Sequence, residues 1–297
     1  DKYHRSINNW NTYNMVKIWS SLGILFSANI ISQIVSIAIM PIVTRLYSPD
    51  ALGTYQVIIT ISLIFSPFIR FSLDQAIIKS YKKSFLLFHA STKIAFLFSV
   101  LWTIIGSLYL YLFTNLHSLN TYLLLFLLMY LGSVFTLSQA LLLQQLSYKE
   151  YSKNNIKYSI YSNGLKVVFG TFYRSSITLL LSLIIAYTSI LWRSGIFSKI
   201  LSSKSSLISP FKTLKKHKDF TIYRTGSSFI DILTNWHIVL IAPLIASAQE
   251  IGLLALAIMM TKTPSYPFLQ SICSFNYSQG TNKRKIDKEL LLTITKT

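Results

Sequence analysis

Residues 122–146 read YLLLFLLMYLGSVFTLSQALLLQQL, a stretch of 25 positions without one charge. A helix of that length is about 37 Å long, which exceeds the roughly 30 Å of hydrocarbon in a bilayer. A soluble amphipathic helix would show a charged face, and this one has only scattered Ser, Thr and Gln. The stretch predicts a membrane-spanning helix. Because backbone groups in lipid must be satisfied within the segment, its neighbours are expected to be helices as well.

Outward from that helix the same pattern recurs. Leu22–Val43 and Ile94–Phe113 are also uncharged. Ala51–Ile78 carries Arg70 and Asp74 in its last turns, and Ile177–Phe197 carries Arg193 near its end. Ile222–Ala246 holds Arg224 and Asp231, and Ile251–Tyr277 holds Lys262. An eighth span, Asn155–Phe172, is required by parity. It contains Lys166 and many polar residues, so it should pack among the others rather than face lipid. The 297 residues are 52% hydrophobic and only 12% charged, about half the charge of a soluble domain. The expected fold is an all-α polytopic membrane protein with about eight transmembrane helices.

The 28 Lys and Arg against nine acids give a net charge of +19, which by itself suggests a nucleic-acid partner. Their placement decides otherwise. With a cytoplasmic N-terminus, 21 fall in inner connections and only two, Arg45 and Arg174, in outer ones. That is the positive-inside pattern, with anionic lipid headgroups as the partner of the bases and no nucleic acid. The outer connections are too short for a soluble domain. The reading divides the chain into a cytoplasmic segment (1–21), a six-helix lobe (22–197), a basic linker (198–220), two further helices (221–280) and a basic tail (281–297).

The stretch PIVTRLYSPDALGTYQVI (Pro41–Ile58), followed by LDQAII (Leu73–Ile78), resembles the first outer loop of bacterial polysaccharide flippases. These are the O-antigen (Wzx-type) branch of the superfamily that includes MATE transporters and the lipid II flippase. KDFTIY (Lys218–Tyr223) and IGLLALA (Ile251–Ala257) continue the match. The resemblance implies two six-helix lobes around a central cavity, in the bacterial cytoplasmic (inner) membrane. This chain supplies six helices plus two. By that comparison it is expected to be an incomplete copy or a truncated protein at its C-terminal end.

Candidate site residues come from charges inside the spans. Arg224, Ser228, Asp231 and Asn235 share one helical face. Asp231 is a candidate for a coupling proton or sodium ion, and Arg224 for an anionic headgroup; the alternative is a pair bridging two helices. Asn155, Tyr158, Ser162, Lys166 and Tyr173 share another face. Lys166 and Lys262 lack an acid at i±3 or i±4, so each is either a cavity residue or a snorkelling one. Asn29, Ser32, Gln33 and Ser36 form a polar stripe suited to helix packing. Arg70 and Asp74, four residues apart, read as a structural ion pair.

No metal-ligand spacing, phosphate loop or nucleophile elbow is present, so no cofactor and no enzymatic chemistry are expected. The resemblance implies a flippase for a polyprenyl-diphosphate-linked oligosaccharide (an O-antigen or capsule repeat unit) working by alternating access. Lys166, Lys262 and Arg224 would then offset the diphosphate. Membrane lipids and other polysaccharide-assembly proteins are the further partners. The alternatives are a MATE-type drug or cation exporter, a non-functional fragment, and a membrane polysaccharide polymerase or ligase. The first wants acids in the cavity, and the last wants a sizeable outer loop.

Overall fold

The computed structural model describes residues 2–80, 84–114, 118–196, 210–262 and 273–274. The described residues form helices and turns. These are α1 (Lys2–Leu46), α2 (Pro49–Arg70), α3 (Leu73–Lys79), α4 (Ser84–Phe113), α5 (Leu119–Gln144), α6 (Tyr148–Phe172) and α7 (Ser176–Arg193). They continue with α8 (Pro210–Lys216), a π-helical turn (Phe220–Arg224), α9 (Thr225–Ile241), a 3-10 turn (Ala242–Leu244) and α10 (Ala248–Lys262). Six segments are long and apolar enough to cross a membrane: Ser20–Leu46, α2, α4, α5, α7 and Phe220–Leu244. The chain is an all-α polytopic membrane protein.

Helix starts follow local chemistry. Ser48 caps α2 by accepting from the Ala51 N–H at 3.3 Å, with Pro49 at the first position and Asp50 in the first turn. Pro has no N–H to leave unpaired there, and the acid suits the positive helix end. Ser247 and Glu250 form a reciprocal capping box at α10: the Ser247 N–H donates to the Glu250 carboxylate at 2.8 Å, and the Glu250 N–H to the Ser247 hydroxyl at 3.4 Å. Ser118 caps α5 by accepting from the Thr121 N–H.

Four features differ from the sequence reading. The first span is the C-terminal part of one long helix, Lys2–Leu46. The second is broken at Phe71 and Ser72, which both take left-handed backbone (φ 49° and 48°) and separate α2 from α3. The third starts at Ser84, which places Lys93 inside α4 rather than in a connection. The fifth apolar run stops at Arg193, because Gly195 turns left-handed (φ 66°) just beyond the helix end. Most of the linker 198–220, the end of the last span and the tail 281–297 lie outside the described residues.

α6 is a helix but too polar to count as an apolar span, and it packs between α1 and α7. Serine and amide side chains join it to α1. The Ser159 hydroxyl donates to the Ser32 carbonyl at 2.7 Å, Asn163 Nδ2 to the Ser36 hydroxyl at 3.0 Å, and the Ser152 hydroxyl to the Ile24 carbonyl at 3.1 Å. Such bonds contribute about 0.6 to 2 kcal/mol each between membrane helices. α4 and α5 pair on the far side. α4 turns Leu97, Leu101, Ile104, Leu108 and Leu112 outward at helical spacing, a lipid-facing stripe.

α2 is the element on which both C-terminal helices pack. It meets α10 where Gly53 faces the Ala248 carbonyl and Gly252 faces the Pro49 carbonyl, too close for a side chain at either glycine. Its other end meets the start of α9. There Arg224 Nε donates to Gln75 Oε1 at 2.7 Å, the Thr225 hydroxyl to Ser72 Oγ at 3.4 Å, and the Lys79 ammonium lies 5.3 Å from the Phe220 ring centre.

Candidate functional site

The helices enclose a cavity of about 730 Å³, lined from α1, α2, α5, α6, α7, α9 and α10. α1 gives it Asn29, Ser32, Gln33 and Ser36, and α6 gives it Asn155, Ser159, Ser162 and Asn163. The same serine and amide rows that join α1 to α6 therefore form one polar wall. Aromatic residues also line it: Tyr55 from α2, Phe135 from α5, Tyr158 from α6, Tyr187 from α7 and Trp236 from α9. Tyr158 and Tyr187 stack with ring centres 4.7 Å apart, and the Tyr158 hydroxyl donates to that of Tyr187 at 3.0 Å.

Among the described residues, two that line the cavity are charged, Lys166 and Arg70, and none is an acid. The Lys166 ammonium sits 5.4 Å from the centre of the Tyr55 ring. Among the described residues it has no carboxylate partner. A cation within the bilayer costs about 2.5 to 3.5 kcal/mol on insertion scales, and a desolvated cation–π contact returns about 2. Tyr55 thus offsets part of the cost, and an anion in the cavity would offset the rest. The backbone around Lys166 is fixed separately. The Tyr47 hydroxyl donates to the Lys166 carbonyl at 2.8 Å, and Gly170, one turn on, leaves room for the Tyr47 ring.

Arg70 closes α2 at the other end of the cavity. Its Nη1 donates to the Thr136 hydroxyl at 3.0 Å, its Nε lies 3.9 Å from the Asp74 carboxylate, and Nε makes no hydrogen bond. The Arg70–Asp74 pair is present, and Arg70 also borders the cavity.

The remaining sequence candidates are placed as follows. Arg224 lies outside the lining, on Gln75. Asp231 is exposed on the bundle surface, and Asn235 Nδ2 donates to its main-chain carbonyl at 2.7 Å. α9 presents Ile232 and Trp236 to the cavity instead. Lys262 ends α10, and its side chain lies outside the described residues. Tyr173 caps the end of α6, exposed and away from the cavity. The stripes from α1 and α6 meet in one site. Tyr55, Tyr187 and the cavity-facing role of Arg70 were not among the sequence candidates. The signal for Tyr187 was a tyrosine hydroxyl in the middle of a largely apolar span.

A family model described as polysaccharide biosynthesis protein matches residues 42–294. Comparison with curated proteins and with solved structures gives no match.

Proposed function

We propose that this chain, which belongs to the polysaccharide biosynthesis protein family, is a flippase. It would carry a polyprenyl-diphosphate-linked oligosaccharide across the bacterial cytoplasmic membrane by alternating access. One observation carries the reading: a cavity lined by polar and aromatic residues has, among the described residues, two cations and no acid on its lining. A lining that combines amides, hydroxyls and tyrosine rings suits a sugar, which offers both hydroxyls and C–H faces. Lys166 and Arg70 offset negative charge on the substrate. A cation exporter would need carboxylates in the same place. The Arg70 end of α2 is taken as cytoplasmic, from the distribution of Lys and Arg. The role is transport rather than synthesis, with α9 and α10 as the start of the opposing lobe.

The test is reconstitution of the chain in liposomes holding a polyprenyl-diphosphate-linked oligosaccharide, with the sugar's accessibility to an external enzyme as readout. Transport predicts protein-dependent loss of the protected fraction, reduced in Lys166→Glu more than in Lys166→Ala. A protected fraction indifferent to the protein and to both variants overturns the reading.

A further inference from the structure

The two cations of the cavity stand at different depths. The 22 residues of α2 span about 33 Å, close to the hydrocarbon thickness, so Arg70 at its end lies at the depth of one leaflet's headgroups. Lys166 is level with Tyr55, fifteen residues earlier in the same helix. At 1.5 Å per residue that is about 22 Å along the axis. The two phosphates of a diphosphate adjoin one another and cannot engage both cations at once, whatever reach the side chains add.

Resting on the transport reading above, we infer that the two stations read different parts of one substrate. Arg70 holds the diphosphate at leaflet depth. Lys166 takes a second negative charge farther along the oligosaccharide, the carboxylate of an acidic sugar. Three features support this division. Arg70 borders the cavity, and its ion pair with Asp74 and its hydrogen bond to Thr136 use Nε and Nη1, which leaves Nη2 without a partner among the described residues for an incoming phosphate. Lys166 has a ring and no carboxylate as its partner among the described residues. Between the two levels the lining offers neutral groups (Asn29, Ser32, Gln33, Asn155, Ser159), which suit sugar hydroxyls.

The experiment measures binding of three lipids to the full chain in nanodiscs. They are polyprenyl diphosphate without sugar, the carrier with a neutral oligosaccharide, and the carrier with an oligosaccharide containing a uronic acid. Wild type should prefer the acidic carrier to the neutral one by about tenfold, the worth of one charge-assisted contact. Lys166→Gln should erase that preference and leave the sugar-free lipid within about twofold of wild type. Arg70→Gln should weaken all three by about tenfold, with Arg70→Lys recovering much of the loss. An equal loss for the sugar-free lipid in Lys166→Gln, or no preference in wild type, overturns the division while leaving transport standing. Failure of wild type to bind any of the three overturns both.

Discussion

The Tyr47 hydroxyl donates to the main-chain carbonyl of Lys166 at 2.8 Å, across 119 positions of sequence. The bond ties the end of α1 to the turn of α6 whose side chain enters the cavity. It also gives the tyrosine of the TRLYSPD run a contact that its loop position does not suggest. Tyr47→Phe removes that donor and the group that accepts from Thr178, while the ring keeps its place over Gly170. We expect a loss of about 1 kcal/mol in stability and weaker binding at Lys166, measured by thermal unfolding and lipid titration. An unchanged melting temperature and affinity would refute this role.

Two pairs of glycines in this chain contrast. A side chain at Gly53 or Gly252 runs into the backbone of the partner helix, which cannot yield as a flexible side chain would. Gly53→Ala and Gly252→Ala should each cost about 1 to 3 kcal/mol, the range of overpacking. Gly23 and Gly164 have nothing within 4 Å of a new methyl group. Gly23→Ala and Gly164→Ala should therefore stabilise their helices by roughly 0.5 to 1 kcal/mol. Melting temperatures of the four variants in one detergent would separate the two groups, and the opposite order would contradict the α2–α10 crossing.

Glu250 provides the pH dependence. The N–H and hydroxyl of Ser247 both donate to its carboxylate and hold it below the ordinary value of 4.5. A carboxylate lowered in the folded state stabilises that state above its ordinary value, and the contribution fades as pH falls through and below it. The stability difference between wild type and Glu250→Ala should be constant near neutrality and shrink below about pH 4.5. A difference that stays flat down to pH 3 would count against the capping box.

Reporter fusions test the orientation. Insertions at Ser118 and Ser247 should read as external and one at Ser147 as cytoplasmic. An external signal at Ser147 would invert the membrane and with it the depth of Arg70.

Much of the site was legible because polar residues in an apolar helix are costly and so point inward. Asn29, Ser32, Gln33 and Ser36, read from spacing as a packing stripe, and Asn155, Tyr158, Ser162 and Lys166 all line the cavity, while Tyr173, read on the same face as Lys166, does not. Spacing says which residues share a face and is silent on where that face turns. Arg224, Asp231 and Asn235 show this: their face looks away from the cavity while Ile232 and Trp236 look in. The break between α2 and α3 was also hidden. Neither Phe71 nor Ser72 is a residue that marks left-handed backbone, and contacts such as Thr225 with Ser72 belong to tertiary structure.

At the crossing of α2 and α10 the Pro49 carbonyl meets Gly252 and the Ala248 carbonyl meets Gly53. Each helix offers a carbonyl and receives one four residues later, starting from SPDALG at 48–53 and SAQEIG at 247–252. Reciprocity of this kind is what a two-fold axis through the contact produces, here within a single chain. Sliding by one residue would push Leu52 or Ile251 into a space that holds no side chain. The crossing therefore locks the register of the two helices: neither can shift along the other without setting a side chain where only glycine fits.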